Sequence, residues 1–485
     1  MGRSVIEGLE PTTVLHWFEK LCEIPHGSGN EKEISDFLVS FAKERKLEVV
    51  QDEAYNVVIR KEGTEGYENS PTVVIQGHMD MVCEKTPESA HDFLKDPIRL
   101  CVDGDFLYAE NTTLGGDNGI AVAMGMAVVA ADDIPHPPIE LLLTTSEETG
   151  MDGAHALDPK LITGRKLINI DSEEEGILTV SCAGGCNAHI NFPISRVDVT
   201  EGKKVVEVSV KGLRGGHSGI EIVKGLGNAD KLLARTLNSV SIPYALCAFD
   251  GGNKHNAIPR EAKAILAIDA VDEAKLKEET AQLEKTLRVE YQVADPDVQV
   301  AVCDAAVTFD KAFEETQAKN LLEFLDLVPD GMQTMSASMP GLVESSLNMG
   351  VVETKDNCVD IVISIRSSVG SLKENIFRRI TRLAAMTGGE VERASEYPEW
   401  SYNPDSELRD VFVSTFEDVY GHKPEVTAIH AGLECALFAE KFCGEMDMIS
   451  MGPDMSGVHT VQEKMNISSV ERTWKYLLEV LKNLK

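Results

Sequence analysis

The sequence predicts an α/β fold with a mixed, largely parallel sheet, carried by a domain that an inserted α+β domain divides in two. Three observations predict it. The 485 residues exceed one ordinary core. Apolar strand-like runs alternate with helical patterns near both ends of the chain. The middle instead strings half-exposed strands and amphipathic helices in the order β-α-β-β-α-β.

In the first stretch, Phe37 to Glu44 falls in an apolar-periodic helix, and Thr72–Gln76, after Pro71, is a short β-rich run. Ile120 to Ala130 is small and apolar on nearly every face and reads as a buried helix. Ile139–Thr145 and Lys166–Ile170 read as buried strands. In the middle, Val205–Lys211 alternates as a half-exposed strand, and Asn228 to Val240 is helical. Tyr244–Phe249 and Glu261–Ala270 pair across a turn at Gly251-Gly252. A charged helix over Glu273–Tyr291 and a strand over Val298–Val302 follow. The order then recurs. Asp310–Leu327 is helical, Ser345–Glu353 and Val359–Arg366 are strands, Leu372–Met386 is a helix, and a strand begins at Glu390. This predicts two similar α+β units, sharing or abutting at the strand near Val300. The last part returns to the first style, with helices over Ser406–Tyr420 and Leu433–Phe442 and a buried strand Met448–Ser450. The expected domains are 1–186 and 389–485 for the divided domain and 187–388 for the insert.

Lys and Arg number 46 against 80 Asp and Glu, for a formal charge of −34. Such a chain repels phosphate backbones and anionic membranes, and no Lys/Arg-rich run offsets this, so neither nucleic acid nor membrane is an expected partner. The N-terminal Met1-Gly2-Arg3-Ser4-Val5-Ile6-Glu7 has no apolar core of a secretory signal. No window approaches 18 consecutive apolar residues. Ten cysteines without a repeated framework fit reduced thiols, and a cytoplasmic location is expected.

The residues that carry chemistry stand where strands give way to loops. His78 and Asp80 follow the first run, Glu147 and Glu148 the second, and Asp171 the third. Asp117 opens a helix after Leu114-Gly115-Gly116, and His459 follows Met448–Ser450 and a Gly/Pro-containing loop. In an open α/β sheet the ligand site lies outside the carboxyl ends of the strands. Two histidines among carboxylates suit zinc, with manganese or cobalt as substitutes. Two metals ~3.5–4 Å apart are well served by a bridging carboxylate, for which Asp117 is a candidate. A carboxylate that is not a ligand must then take the proton of the attacking water, and adjacent Glu147-Glu148 supplies one ligand and one base. Asp80, two residues beyond His78, can reach the second imidazole nitrogen. Taken singly, each of these has a plainer reading: Asp117 as a helix cap, Glu147-Glu148 as surface charge, His78 as a core histidine. Their conjunction at successive strand ends points to a dinuclear hydrolytic centre.

Other groupings point elsewhere. Cys182-x3-Cys186-x2-His189 lacks the usual Cys-x2-Cys spacing, and Gly184-Gly185 predicts a turn. His430 and Glu434 stand four apart, but the helix there is expected to begin near Ala431, which favours a capping or loop role for His430.

Gln76-Gly77-His78-Met79-Asp80-Met81-Val82, Thr113-Leu114-Gly115-Gly116-Asp117-Asn118-Gly119 and Glu147-Glu148-Thr149-Gly150-Met151-Asp152-Gly153-Ala154 resemble the co-catalytic zinc aminoacylase/carboxypeptidase family of metallopeptidases. Asp171-Ser172-Glu173-Glu174-Glu175-Gly176, Gly215-Gly216-His217-Ser218-Gly219 and Asn256-Ala257-Ile258-Pro259-Arg260 are similar to its branch of aminoacyl-histidine dipeptidases, the carnosine-cleaving type. The likeness runs from about residue 10 to the end of the chain. It implies a zinc-peptidase-type catalytic domain with an inserted lid. It implies Asp117 as the bridge, His78 and Asp171 on one zinc, and Glu148 and His459 on the other. It makes Glu147 the general base and Asp80 the residue that orients His78. It also implies that His217, Asn256 and Arg366, on the lid, bind the reacting carbonyl and the free carboxylate of the substrate. Thr149, where a small Ala is expected, and Thr460-Val461, where Ser-Pro is expected, depart from the pattern without removing a ligand.

The expected activity is therefore hydrolysis of small dipeptides, Xaa-His or carnosine-like. A deacylase or carboxypeptidase on the same scaffold, or a non-catalytic metal- or peptide-binding protein, are the competing readings. Because the His217 position in related enzymes often serves a neighbouring subunit, a homodimer is expected.

Overall fold

A computed structural model of the chain describes residues 5–307 and 309–485, so the first four residues of the N-terminal stretch lie outside it. The chain forms two compact units: one of residues up to Ser181 with Tyr402–Ala428 and Leu433–Lys485, the other of Cys182–Ser401 with Ile429–Gly432.

The first unit is built on a mixed sheet of eight strands among the described residues. Ile139–Thr144, Val73–His78, Lys166–Asn169 and Asp447–Ser450 lie side by side and parallel at its centre. Val57–Lys61 and Glu48–Gln51 extend it antiparallel on one side; on the other, Ile177–Cys182 pairs antiparallel with Asp447–Ser450, and Glu425–Ile429 lies beyond it. Val73–His78 and Ile139–Thr144 are buried at every residue. That is why their sequences are continuous apolar runs rather than alternating ones. The helix Gly116–Ala130 is buried from Asn118 to Val129. Gly77 lets it lie close to the sheet: a Cβ there would come within 2.5 Å of Ala121 Cβ and Asn118 Oδ1. A helix over Ile467–Asn483, unread in the sequence, has a strongly one-sided apolar face that is buried from Ile467 to Leu481.

The second unit is a nine-stranded sheet among the described residues. Its path runs Gln299–Asp304, Lys204–Lys211, Ala262–Ile268, Tyr244–Gly251, Val343–Thr354, Cys358–Ser367, Gly184–Pro193, Glu390–Tyr397, with Gly331–Met335 paired to Val343–Thr354. Helices Ala229–Ser239, Glu273–Glu290, Glu315–Leu327 and Gly370–Thr387 contribute apolar faces to its core. There Phe192 meets Phe324 at 5.0 Å between ring centroids.

Four expectations change. The two halves of the insert do not join near Val300, because Gln299–Asp304 is the outer edge strand. They meet at Gly251 opposite Val352. The second unit is wider than 187–388, because Gly184–Pro193 and Glu390–Tyr397 pair with each other inside its sheet. Gly184-Gly185 is strand rather than turn, for a steric reason: a Cβ on Gly185 would meet the Tyr397 ring at 2.5 Å. Finally, Lys311–Phe313 is a strand, and the helix starts only at Glu315, capped by the Glu314 carboxylate accepting from Gln317 N–H at 3.0 Å.

Candidate metal centre and active site

Parallel strands present their carboxyl ends on one side, and the loops leaving them carry the acidic and imidazole groups. His78 is the last residue of its strand. Glu147 opens a single helical turn three residues beyond Thr144. Asp171 stands two residues beyond Asn169, and His459 lies in the loop that follows Asp447–Ser450. Asp117 is at the start of its helix, with non-helical φ −82° and ψ 105°. Gly115, at φ +71°, makes the sharp turn that leads to it.

The structure brings these groups together. His78 Nε2 lies 3.2 Å from Asp117 Oδ1 and 3.4 Å from Asp171 Oδ1. His459 Nε2 lies 3.0 Å from Asp117 Oδ2 and 2.9 Å from Glu148 Oε1. Asp117 thus stands between the two imidazoles, one oxygen toward each. His78, Asp117 and Glu148 each place a donor atom within 4.8 Å of the other two. His78 is buried, whereas the His459 side chain is 51% exposed, so the group opens to solvent on the His459 side.

Other residues hold this arrangement. Asp80 Oδ1 accepts the Glu147 N–H at 3.1 Å, and Oδ2 accepts the Glu148 N–H at 3.3 Å and the Ser28 hydroxyl at 2.8 Å. Its carboxylate is 3.4 Å from His78 Nδ1, while its backbone carbonyl is nearer, at 3.1 Å. Asp80 therefore orients the paired glutamates as much as the imidazole. Sequence reasoning missed Glu463. Its buried carboxylate accepts N–H groups from Leu114 at 2.8 Å, Gly115 at 3.3 Å, Gly116 at 2.8 Å and Asp117 at 3.4 Å. The loop that carries His459 thereby grips the loop that carries Asp117. Glu434, noted in the sequence only for its spacing from His430, is fully buried and accepts from Gln76 Nε2 at 2.6 Å and Thr144 Oγ1 at 2.9 Å, tying two central strands near their carboxyl ends.

Crowded carboxylates dominate the electrostatics. Burial, then the charges of Asp171, Glu434 and Glu148, pushes the Glu147 carboxyl well above its usual range, although His78 pulls it down. Burial raises Asp171 to about 6 and Glu434 to about 7. Hydrogen bonds to Asp117 and Glu148 raise His459 to about 10. Burial opposes protonation of His78, but Asp171 and Asp117 outweigh it and raise the imidazole. A half-buried pocket of nitrogen and carboxylate donors this dense in negative charge is chemically suited to divalent cations of zinc type, and the residues present fit that group.

His217, Asn256 and Arg366 belong to the second unit. His217 Nδ1 accepts the N–H groups of Gly219 and Ile220, both at 3.2 Å, so the ring proton resides on Nε2. Burial and the nearby Arg366 charge lower its pKa and keep it neutral. Arg366 Nη1 donates to Tyr397 Oη at 2.7 Å, while its Nε is buried without a partner. Asn256 accepts the Ser218 N–H at 2.9 Å through its backbone carbonyl. His430 lies in the short second-unit segment Ile429–Gly432, and the helix after it begins at Glu434. It is a loop residue and not the helix cap, and it is buried, with Ser346 Oγ 2.7 Å from its Nε2.

Known proteins resemble the chain in sequence and fold. The chain is 39% identical over 484 residues to the cytosol non-specific dipeptidase of Escherichia coli strain K12, covering 99% of each. The crystal structure of aminoacylhistidine dipeptidase from Vibrio alginolyticus superposes with a TM-score of 0.95 at 38% identity, over 100% of this chain and 99% of that one. An aminopeptidase of Bacillus cereus, 16% identical, shares the fold at a TM-score of 0.56, over 98% of this chain and 99% of its own. Among the described residues no helix is long and apolar enough to cross a membrane. The model of peptidase family M20/M25/M40 matches residues 74–483 and so takes in every carboxylate and imidazole assembled above, and the chain belongs to that family as a metallopeptidase.

Proposed function

We propose that this protein is a cytoplasmic metallodipeptidase that hydrolyses small dipeptides, Xaa-His or carnosine-like substrates among them, at a two-zinc centre. The observation that carries the proposal is the placement of Asp117 between His78 and His459, with Asp171 and Glu148 beside them. The relatives named above support the dipeptide class, and the Vibrio protein's name supports the Xaa-His preference. The E. coli protein's name and the absence of any disulfide among the ten cysteines support the cytoplasm.

In this reading Asp117 would be shared by two ions, His78 and Asp171 would hold one, and Glu148 and His459 would hold the other, with manganese or cobalt able to substitute. When bound, the ions lower the pKa of water toward ~7 and polarise the substrate carbonyl. Glu147, held beside the ligands by Asp80 and raised by burial, takes the proton of the attacking water and delivers it to the leaving amine. His217 donates through Nε2–H to the reacting carbonyl, and Asn256 and Arg366 serve the free carboxylate, for which a guanidinium offers paired donors. As expected of this machinery, Glu147→Ala abolishes dipeptide turnover while metal analysis still finds both ions. A variant with near-normal rate would refute the mechanism. The active form is a homodimer in this proposal, and light scattering on the purified protein measures it.

A further inference from the structure

Arg366 lies in a row of residues running straight across four strands of the second unit. Ser346 pairs with Arg366, Arg366 with Gly185, and Gly185 with Tyr397. Residues directly opposite on neighbouring strands put their side chains on the same face of the sheet, about 4.5–5.5 Å apart at Cβ. Gly185 contributes no side chain, and the Tyr397 ring occupies that space, so its hydroxyl reaches Arg366 Nη1. On the other flank, Ser346 Oγ reaches His430 Nε2. Gly219 marks where these groups converge. A Cβ on it would come 2.5 Å from the His430 carbonyl oxygen, 3.1 Å from His217 Cε1 and 3.3 Å from Arg366 Nε.

Two polar atoms of this cluster, Arg366 Nε and His430 Nδ1, are buried with no partner. His430 is 7% exposed, and a buried Nδ1 with no partner calls for one. Its tautomer follows from counting. If Nε2–H donated to Ser346, both the serine hydrogen and Nδ1 would be left unmet. If the Ser346 hydroxyl donates to Nε2, only an Nδ1–H donor remains. Burial, and then the Arg366 charge, lower the pKa to about 4, so the ring is neutral near pH 7 and carries that single proton. Arg366 Nε and His430 Nδ1 are therefore both donors that lack an acceptor.

We propose that His430 Nδ1–H, with its tautomer set by Ser346, is a second donor beside Arg366 to the free carboxylate of the substrate, and so a determinant of specificity for peptides ending at that position. The assignment rests on the dipeptidase reading. It is tested by comparing a dipeptide with its C-terminal amide on the metal-loaded enzyme and three variants. A hydrogen bond to a charged group is worth ~1.5–3 kcal/mol, or about ten- to a hundredfold. His430→Ala is expected to lose that factor in kcat/KM on the dipeptide, mainly through KM, with much less effect on the amide. His430→Asn, whose amide can stand where Nδ1–H stood, recovers most of the loss. Ser346→Ala, a smaller change, moves the dipeptide/amide ratio in the same direction as His430→Ala. An unchanged dipeptide/amide ratio in both His430→Ala and Ser346→Ala, with dipeptides still hydrolysed, overturns the assignment alone. Failure of the unaltered enzyme to cleave any dipeptide overturns the proposed function, and the assignment with it.

Discussion

At the scale of single residues, one carboxylate decides how firmly another is held. Glu463 takes four backbone N–H groups from residues 114–117, which would otherwise be buried donors without acceptors. Glu463→Ala should therefore leave Asp117 chemically intact but loosely placed. The expected outcome is a ~10–100-fold loss of metal affinity, as is typical when a group supporting a ligand is removed, measured by titration against a competing chelator. Glu463→Gln, which forces an amide NH2 toward N–H donors, is expected to fall on the same side. Unaltered affinity in both would show that Asp117 needs no such support. The groups around the proposed metal centre were readable in the sequence because each has a side chain with metal chemistry and stands after a strand-like run or, for Asp117, at a glycine turn that opens a helix. Glu463 was not, because its partners are main-chain N–H groups, which leave no side-chain pattern. His430 was read only as a loop or cap residue, since its partner Ser346 is brought near by the pairing of distant strands.

At the scale of elements, two glycines set how closely structures approach. Gly185→Ala would drive a Cβ into the Tyr397 ring and pull the hydroxyl away from Arg366. Overpacking of this kind costs ~1–3 kcal/mol, so a lowered melting temperature is expected together with a raised KM for dipeptides. Gly77→Ala would press the strand that ends at His78 away from the helix that begins beside Asp117. A comparable stability loss is expected there, with weakened metal binding; a stable variant with unchanged metal content would contradict it. Buried central strands and alternating strands such as Lys204–Lys211 were legible from their periodicity. Gly184–Pro193 was hidden, because its glycines mimic a turn and the reason for them lies on Tyr397, more than two hundred residues away. The expected join near Val300 was also wrong, because strand order within an antiparallel sheet is not written in the local pattern of any one strand.

At the scale of the whole molecule, every group of the proposed metal centre lies in the first unit and the Arg366–His430 cluster in the second. Metal should therefore stabilise the first unit by mass action, by ~2.7 kcal/mol at a hundredfold excess over Kd. Scanning calorimetry with and without chelator is expected to shift a transition belonging to that unit, while variants of the Arg366 row act on the other. A chelator with no effect on either transition would count against a metal centre held by the folded chain. The first unit is also discontinuous, and this has a consequence for how the protein is made. The strand Asp447–Ser450 lies inside the first sheet, between Lys166–Asn169 and Ile177–Cys182. A ribosome finishes the whole of Cys182–Ser401 before it supplies that strand, at typical rates roughly ten to fifty seconds after its neighbours have emerged. Through that interval the nascent sheet has an open slot with unpaired strand edges, and these invite chaperones or wrong partners. The peptidase centre, which waits on His459 and Glu463, is assembled only after the inserted unit has had time to fold, so an incompletely synthesised chain is kept from cleaving peptides in the cell that is making it.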